Sequence, residues 1–340
     1  MRMIRLGAML AAAALAHAAP AFAETTRASQ ILERFEHANQ WRDHVMIVAH
    51  RGGWMENGVI VHPENSFEGV ESSVALGVEM VEIDVRKSKD GEYVVMHDSW
   101  LDRTTNCKGE VVQRTVAELK QCRLIVEGSG RVTDETVSTL REMLAFTKGK
   151  LLVNIDNKLD IEDLAGMAAV ARDLDMAEQV VIKQNLWNTE KIVEMKRTVA
   201  AIGEDVKFMP IIADDAVKDV HFLETASRTF SADAVEMINW HQAGEAMTDT
   251  GGALFTTRAR AVAARGDWHL WVNTYSIVNK AGGYLSGGRG DKLAVLADAP
   301  GEAFGFWVDR GATVIQTDEP KAAIDWLTAN GYRIPYDLTN

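Results

Sequence analysis

Residues 45–105 constrain the fold more than any other part of the chain, because short apolar runs there alternate with clusters of polar residues. The apolar runs at 45–49, 80–85 and 93–96 predict strands, since buried strands read as short hydrophobic segments bounded by turn residues. Between the first two runs, the apolar spacing within 66–76 predicts a helix. This segment is therefore typical of a buried α/β core.

Charged side chains occur in these strands or directly after them. His50 and Arg51 follow the first strand, and His97 follows the third. Glu82 and Asp84 share one face of the second strand, because side chains alternate along a strand. Two buried carboxylates this close repel each other, and a divalent cation with oxygen ligands would offset that cost. The alternative is that the acids are surface charges of an edge strand and the histidines are ordinary loop residues.

A second polar face is predicted in the strand at 151–158, where Asn154, Asp156 and Lys158 alternate with apolar residues. In a closed α/β barrel, polar residues toward the carboxyl end of a strand point at the active site. A solvent-exposed strand end is the alternative.

Five short motifs occur in the order that is found in the glycerophosphodiester phosphodiesterase family, and the chain resembles that family over most of its length. The motifs are H-R-G at 50–52, P-E-N-S at 63–66, E-x-D at 82–84, H-D at 97–98 and L-D-R-T-T at 101–105. The family is distantly related to barrel phospholipases of the phosphatidylinositol phospholipase C and sphingomyelinase D kind. The resemblance implies a phosphoric diester hydrolase.

The resemblance also implies which side chains carry the chemistry. His50 and His97 would form the general acid–base pair. One divalent cation, Mg²⁺ or Ca²⁺, would be held by three carboxylates, those of Glu82, Asp84 and Asp156. The family usually has glutamate where this chain has Asp156. The shorter acid would either draw the ion toward this wall or leave a water in its shell.

Other residues are expected to contact the phosphate or to orient the site. Arg51 and Lys158 would neutralise phosphate charge, the arginine as a bidentate fork. Glu64 and Asn65 are expected to orient neighbouring side chains and the loop rather than to bind the metal.

Two residues of later strands have alternative interpretations. Lys183 either lines the pocket, as a second phosphate or substrate contact, or extends out of the strand end, with Glu236 and Asn239 as candidate partners. Trp271 is either a wall against which the substrate packs or an aromatic residue of the barrel core.

Three loop regions complete the predicted site. Asp318, in a T-D-x-P-like turn, is expected to cap the last helix rather than to take part in catalysis. The insertion at 54–62 would lie above the site, where Trp54 or His62 could touch the substrate. The glycine-rich segment 281–290 is either a mobile lid or a plain loop.

The order of the predicted elements favours an α/β fold, a TIM (β/α)8 barrel. Six further strands are predicted, at 151–158, 180–184, 208–212, 234–239, 270–274 and 313–317. Helical periodicity lies between them, and the first two strands bring the count to eight. The resemblance implies the same barrel, of the phospholipase C-like phosphodiesterase type, with a small loop insertion after the first strand. No glycine-rich nucleotide-binding motif appears.

The N-terminus is typical of a cleavable signal peptide, with Arg2 and Arg5 before a short apolar stretch and an A-x-A site ending at Ala23. The apolar stretch is too short to span a bilayer, so no stable membrane anchor is expected; an uncleaved anchor is the alternative. The protein is therefore predicted to be periplasmic or secreted. The predicted organisation is a signal peptide at 1–23, an N-terminal helical lead-in at 24–44 and one barrel domain at 45–340.

Charge and cysteine content limit the partners. Without Arg2 and Arg5 the chain has 34 basic and 49 acidic side chains, a net charge of −15. Such a surface does not bind nucleic acid, and a small anionic phosphodiester would need a local basic cluster. The oligomeric state is left open.

Cys107 and Cys122 predict a disulfide, because an even count at short spacing in an exported protein favours pairing.

Three functions are compatible with these residues. The first, implied by the resemblance, is metal-dependent hydrolysis of glycerophosphodiesters to sn-glycerol 3-phosphate and an alcohol, by histidine general acid–base catalysis. The second is a barrel phospholipase D that acts on lysophospholipid or sphingomyelin. The third is an exported protein that binds phosphodiesters without turnover.

Overall fold

Eight parallel strands close into a barrel in the computed structural model, which describes residues 25–276 and 283–339. The predicted signal peptide at 1–23 therefore lies outside the described residues. The strands are β1 Met46–Ala49, β2 Met80–Lys87, β3 Leu152–Asn157, β4 Val180–Asn185, β5 Lys207–Ala213, β6 Ala234–Ile238, β7 His269–Asn273 and β8 Val314–Thr317.

The ring closes because β1 pairs with both of its neighbours. Ala49 is in register with Thr317 of β8 on one side and with Val81 of β2 on the other. The remaining pairs follow chain order from β2 to β8. The predicted TIM (β/α)8 barrel is confirmed, and each of the eight predicted strands overlaps an observed one. The predicted strand at 93–96 is Tyr93–Val95, which pairs antiparallel with the end of β2.

Helices follow the strands and cover the outside of the barrel. The first begins where the Ser66 hydroxyl accepts the N–H of Gly69, and it ends at Gly77, whose φ of 81° favours glycine. The helices that follow β1 to β8, in order, are Phe67–Leu76, Leu140–Thr147, Asp163–Asp173, Thr189–Ile202, Val220–Phe230, Thr257–Gly266, Phe306–Asp309 and Pro320–Ala329.

The core lies between the strands and the inner faces of these helices. Strand residues such as Ile47, Val153, Ile182 and Val235 are fully buried in one continuous apolar cluster. Burying a side chain of this size contributes about 1.5–3 kcal/mol. Apolar burial therefore holds the strand ends in place around the polar residues described below. Among the described residues, no helix has the length and apolar character needed to cross a membrane.

The N-terminal segment contacts the amino ends of the strands. Within 25–44, the described part of the predicted lead-in, the structure has one helix, Arg27–Glu36, and a short 3₁₀ turn, Ala38–Gln40. Arg27 of this helix donates to the carbonyl oxygens of Val78 at 3.0 Å and Lys150 at 3.1 Å, just before β2 and β3. The helix thus lies at the end of the barrel opposite to the carboxyl ends of the strands.

Between β2 and β3 the chain leaves the barrel and forms a small subsidiary core. A two-stranded hairpin, Arg123–Val126 with Arg131–Thr136, packs near the short helix Val116–Leu119. The predicted disulfide between Cys107 and Cys122 is present, across a separation of 15 residues. A loop of this length corresponds to about 3 kcal/mol of stabilisation in the chain-entropy model.

Two predicted loops contain short strands. The insertion at 54–62 forms a hairpin of Met55–Glu56 with Val59–Ile60. In the glycine-rich segment 281–290, residues 281 and 282 lie outside the described residues. The strand Gly283–Tyr284 pairs antiparallel with His241–Gln242. It is followed by a 3₁₀ turn, Ser286–Gly288.

A buried ionic cluster joins the C-terminal segment to the amino ends of β1 and β2. Glu79 is fully buried and accepts the N–H of Ile47 at 2.8 Å, Arg333 Nη1 at 2.8 Å and His44 Nε2 at 3.3 Å. Burial opposes ionisation of Glu79, but Arg333 and His44 outweigh it and hold the pKa of this carboxyl well below its usual range.

Glu79→Gln should therefore destabilise the protein by about 3 kcal/mol, because the largely buried guanidinium of Arg333 and the N–H of Ile47 lose their carboxylate. Glu79 ionises more readily in the folded chain, so its contribution is present above its unfolded pKa of about 4.3 and is lost as the pH falls. The difference between wild type and variant in urea unfolding should be full at pH 7 and should shrink below about pH 4.

Asp325→Asn is the matched control, because Asp325 pairs with Lys321 on the surface. Exposed ion pairs contribute little, so the free energy of unfolding should hardly change in this variant. Equal stability of the Glu79→Gln variant and the wild type at pH 7 would contradict the proposed role of the cluster.

Candidate active site

Three carboxylates converge at the carboxyl ends of β2 and β3. The register places Asp84 of β2 directly beside Asp156 of β3, and Glu82 lies two residues earlier on the same face. One oxygen from each of the three lies within 4.8 Å of the others. The i, i+2 pattern in the sequence predicted that Glu82 and Asp84 share a face, and the parallel pairing adds the third acid.

The acids of this cluster differ in ionisation. Burial, reinforced by the charge of Asp84, raises the pKa of Glu82 above its usual value. Burial also opposes ionisation of Asp84, but Lys158, then His97 and Arg51, outweigh it and hold the pKa of Asp84 well below its usual range. Ionisation of these buried carboxylates thus depends on the positively charged side chains beside them.

The donor set fits a hard divalent cation. Three carboxylate oxygens within coordinating reach of one point are the ligands that Mg²⁺ and Ca²⁺ prefer. Asn65 fixes one of them: its amide donates to Asp84 Oδ2 at 2.8 Å, and its carbonyl accepts the N–H of Asp84 at 3.1 Å. Asn65 therefore fixes the orientation of the Asp84 carboxylate.

The turn after β1 brings the H-R-G motif over this cluster. Arg51 has a left-handed φ of 52°, and it is followed by Gly52 and Gly53 at φ 83° and 90°. Such backbone is strained for a residue with a Cβ and is found mainly where the surrounding structure holds it. The turn aims the Arg51 N–H at Glu82 Oε2, at 3.0 Å.

The Arg51 guanidinium lines the cavity and is held by the P-E-N-S segment. Arg51 Nη1 donates to Glu64 Oε2 at 2.6 Å, and Nε lies 4.0 Å from Asp84 Oδ2. Glu64 is buried and makes no contact with the carboxylate cluster that would make it a ligand. Glu64 thus contacts Arg51, and Asn65 contacts Asp84, while neither belongs to the carboxylate cluster.

His50 is held by Asp318 and by Tyr275. Its Nδ1 lies 2.7 Å from Asp318 Oδ1, and because a carboxylate only accepts, Nδ1 carries the proton. Its ring stacks on Tyr275 with centroids 3.9 Å apart. Trp54 Nε1 donates to the same Asp318 oxygen at 2.9 Å. The free Nε2 lies 4.0 Å from Glu82 Oε2, on the side of the acidic cluster.

Asp318 corrects a prediction from the sequence. It was expected to cap the last helix, but that helix begins at Pro320 without a side-chain cap, and Asp318 binds His50 instead. Burial opposes its ionisation, but His50 outweighs burial and lowers the pKa of Asp318. The T-D-x-P-like turn was the only sequence signal for this residue. Nothing local pointed to Tyr275 as a neighbour of His50.

His97 has the same arrangement as His50. Its Nδ1 lies 2.7 Å from Asp98 Oδ1, so this ring also carries its proton on Nδ1 and leaves Nε2 free. Arg86 Nε donates to the His97 carbonyl at 2.8 Å and ties the loop to the end of β2. Both predicted histidines thus line one cavity with a carboxylate behind each ring.

Two lysines place positive charge among the acids. Lys158 Nζ lies 3.0 Å from Asp84 Oδ1 and also pairs with Asp156. Lys183 is buried in β4 and lines the cavity, with Nζ 3.2 Å from Glu236 Oε2. Glu236 is thus the partner of Lys183, but Asn239 is not, because its amide donates to the carbonyl of Gly251.

Three aromatic predictions have different outcomes. Trp271 is 0% exposed, and its indole N–H donates to Asn273, so it is a core residue and does not reach the cavity. Trp54 is likewise buried and binds Asp318 rather than facing a substrate. His62 pairs with Glu68 at 3.1 Å, outside the cavity lining. Of the two interpretations of Trp271, the structure supports the core residue, and neither Trp54 nor His62 lines the cavity.

The cavity formed by these side chains has a volume of about 290 Å³ and opens at the carboxyl ends of the strands. One wall is charged and carries His50, Arg51, Glu82, His97, Asp156, Lys158, Lys183 and Glu236. The other wall is largely apolar and carries Ile211, Ile238, Trp240, Tyr275 and Leu285. An anionic group fits the first wall and a less polar group the second.

Asp84→Ala and Asp156→Ala should each abolish tight binding of Mg²⁺ or Ca²⁺ in calorimetry, because each removes one of the three candidate oxygen ligands. Asn65→Ala should weaken binding by about 10–100-fold, since it frees the orientation of Asp84. Asp173→Asn, in a surface ion pair with Arg141, is the control and should bind normally. Unchanged affinity in both ligand variants would exclude this metal site.

Comparison with known proteins gives a consistent result. A curated glycerophosphodiester phosphodiesterase of Caldanaerobacter subterraneus is 32% identical over 142 residues, which are 40% of this chain and 56% of that protein. Glycerophosphodiester phosphodiesterase 1 of Homo sapiens is 32% identical over 106 residues, 31% of this chain and 30% of that protein. The chain spans about half or less of the length of the curated relatives it matches.

Solved structures share the fold. A glycerophosphoryl diester phosphodiesterase from Parabacteroides distasonis superposes with a TM-score of 0.63 at 19% identity, over 92% of this chain and 95% of that one. An Oleispira antarctica phosphodiesterase, solved in complex with the product sn-glycerol-3-phosphate, has a TM-score of 0.53 at 18% identity, over 83% and 96%. The family profile of the glycerophosphoryl diester phosphodiesterases matches residues 50–320. With its motifs, barrel and cavity in agreement, this chain belongs to the glycerophosphoryl diester phosphodiesterase family.

Proposed function

We propose that the protein hydrolyses glycerophosphodiesters to sn-glycerol 3-phosphate and an alcohol. The observation that carries the proposal is that two histidines line one cavity, each hydrogen-bonded to its own carboxylate. The same cavity contains an acidic cluster and several basic side chains. The resemblance to family members, and the product bound by the Oleispira antarctica relative, support the same reaction.

The cavity offers a place for an anionic phosphodiester. Arg51 and Lys158 line the charged wall and would neutralise the nonbridging oxygens, and Lys183 would add charge from β4, the strand next to β3. The chain as a whole has a formal net charge of −13, so this basic cluster is local. Phosphate would therefore be attracted by these fixed basic side chains, despite the negative net charge of the whole chain.

The carboxylates Glu82, Asp84 and Asp156 would hold one divalent cation, Mg²⁺ or Ca²⁺. Bound there, it would supply Lewis-acid polarisation of the phosphoryl group. Asn65 would keep Asp84 in its ligating orientation, and Arg51 would stay in place through Glu64.

The histidines would move the protons of the reaction. Each holds a proton on Nδ1 against a carboxylate, so Nε2 of one ring is free to take a proton from the attacking water or glycerol 2-hydroxyl. Nε2 of the other ring, when protonated, donates to the leaving alkoxide, which departs as the alcohol. Where the 2-hydroxyl is the nucleophile, a cyclic phosphodiester forms first, and water then opens it to sn-glycerol 3-phosphate with the proton roles of the two rings exchanged. Asp318 and Asp98 would stabilise the imidazolium forms of His50 and His97.

His50→Ala and His97→Ala should each lower kcat by about 10²–10⁴-fold, because each removes one proton-transfer group. The assay is release of sn-glycerol 3-phosphate from several glycerophosphodiesters, with and without a chelator. His221→Ala is the control, since His221 is exposed on the outer helix Val220–Phe230. Near-native activity of a cavity variant would remove that histidine from the mechanism. Activity that survives exhaustive chelation would show that the reaction needs no metal ion.

A phospholipase D acting on lysophospholipid is the second candidate, and the apolar wall around Ile211, Ile238 and Leu285 favours it. This wall could contact an acyl chain or an apolar alcohol. An assay of choline release, with lysophosphatidylcholine and glycerophosphocholine as the two substrates, decides between the two functions. Release of choline from lysophosphatidylcholine but not from glycerophosphocholine would favour the phospholipase. Stoichiometric binding without any product would favour a binding protein.

We also propose that the protein is exported, to a periplasm or to the medium, after cleavage behind Ala23. The basic start, the apolar stretch and the A-x-A site support this, as does the disulfide, which persists in oxidising compartments. N-terminal sequencing of the protein from its native host should begin at Glu24. Recovery of an intact Met1 N-terminus from the cytoplasm would contradict export.

A further inference from the structure

The guanidinium of Arg103, in the L-D-R-T-T motif, makes two bidentate ion pairs at once. Nε and Nη2 donate to the two oxygens of Asp98, at 2.8 and 2.9 Å. Nη1 and Nη2 donate to the two oxygens of Glu64, at 2.8 and 2.7 Å. Nη1 also donates to Glu127, at 2.7 Å, so all three nitrogens are engaged.

The first ion pair leads to a histidine of the cavity. Asp98 Oδ1 accepts both Arg103 Nη2 and His97 Nδ1, so the arginine fixes the carboxylate that orients this ring. His97, followed by Arg103, holds the pKa of Asp98 well below its usual range, which keeps Asp98 an acceptor. The rotation of His97 thus depends on Arg103 through one shared carboxylate.

The second ion pair leads to the phosphate-binding arginine. Glu64 Oε2 accepts Arg103 Nη1 at 2.8 Å and Arg51 Nη1 at 2.6 Å, so one oxygen joins the two guanidinium groups. Glu64 is buried, and its second oxygen is held by Arg103 alone among the described contacts. Without Arg103, Glu64 could rotate and take Arg51 with it.

Together these contacts form a continuous chain from His97 through Asp98, Arg103 and Glu64 to Arg51. We propose that Arg103 is a positioning residue that sets the distance between the His97 imidazole and the Arg51 guanidinium across the cavity. Arg103 does not line the cavity, and its side chain is 30% exposed at the rim, so it acts through its two carboxylates. A lysine cannot replace it, because a single ammonium group cannot form two bidentate ion pairs with two carboxylates at once.

A purely structural ion pair would be expected to affect stability rather than the site. The Arg103 pairs with Asp98 and Glu127 are partly solvated, and such pairs contribute little to the free energy of folding; the third partner, Glu64, is buried but keeps Arg51 as a second cation. Their geometry instead matters for the reaction, because a displacement of about 1 Å in a catalytic group can cost about 10²-fold in rate. The importance of Arg103 should therefore appear in the site before it appears in thermal unfolding.

The test compares Arg103→Lys and Arg103→Gln with wild type. Arg103→Lys keeps the positive charge and the aliphatic stem, so it should fold even if the glutamine variant does not. Arg141→Gln is the matched control, because Arg141 pairs with a single surface carboxylate, Asp173. The proposal rests on the proposed hydrolase function, so two readouts that do not require turnover are included.

Both Arg103 variants should lower kcat by about 10²-fold and also raise KM, because His97 and Arg51 loosen together. The Arg141→Gln control should keep wild-type kcat and KM. For Arg103→Ala, free guanidinium added well below denaturing concentrations should restore part of the rate, and the same addition should not rescue His97→Ala. Wild-type kcat and KM in both Arg103→Lys and Arg103→Gln would overturn the proposal.

The readouts without turnover are proton NMR of the His97 Nδ1–H and calorimetric binding of sn-glycerol 3-phosphate. In Arg103→Lys, the hydrogen-bonded Nδ1–H resonance should broaden or shift, and the affinity should fall by about 10-fold or more. If wild type turns over no substrate, the hydrolase proposal fails while these signals still test Arg103. An unchanged resonance together with unchanged affinity would overturn the positioning role by itself.

Discussion

The structure of the site depends on how three buried carboxylates are tolerated at the carboxyl ends of adjacent strands. Glu82, Asp84 and Asp156 bring negative charge to one point, and burial alone would neutralise or disperse them. Lys158 pairs with two of them, and the Arg51 N–H donates to the third. The same arrangement places carboxylates that could hold a hard cation beside basic side chains, so the stability of this region and the chemistry open to the cavity depend on the same charges.

The second constraint is the orientation of two imidazoles. In each, a carboxylate holds the proton on Nδ1, which leaves Nε2 available on the cavity side. The carboxylates have different origins: Asp98 follows His97 in the chain, whereas Asp318 is 268 residues away from His50. One arrangement is thus local and the other depends on closure of the barrel, because β8 must lie beside β1 for Asp318 to reach His50.

The closed barrel is what brings the parts together. Its register puts Asp84 beside Asp156, and its ring order puts the turns after β1 and β8 next to each other. The apolar core holds these strand ends without using the polar residues themselves. Loops can therefore carry His50, His97 and their partners at the mouth, as is usual for barrels of this type.

The sequence by itself determined the strands, their alternation and the motifs, because apolar periodicity and the i, i+2 spacing of Glu82 and Asp84 are local properties. Only the tertiary structure decided which distant side chains meet. It assigned Asp318 to His50 rather than to a helix cap and stacked Tyr275 on the same ring. It also placed Trp271 in the core. The physical reason is that hydrogen bonds and burial depend on partners brought close by barrel closure, and a linear pattern carries no information about those distances.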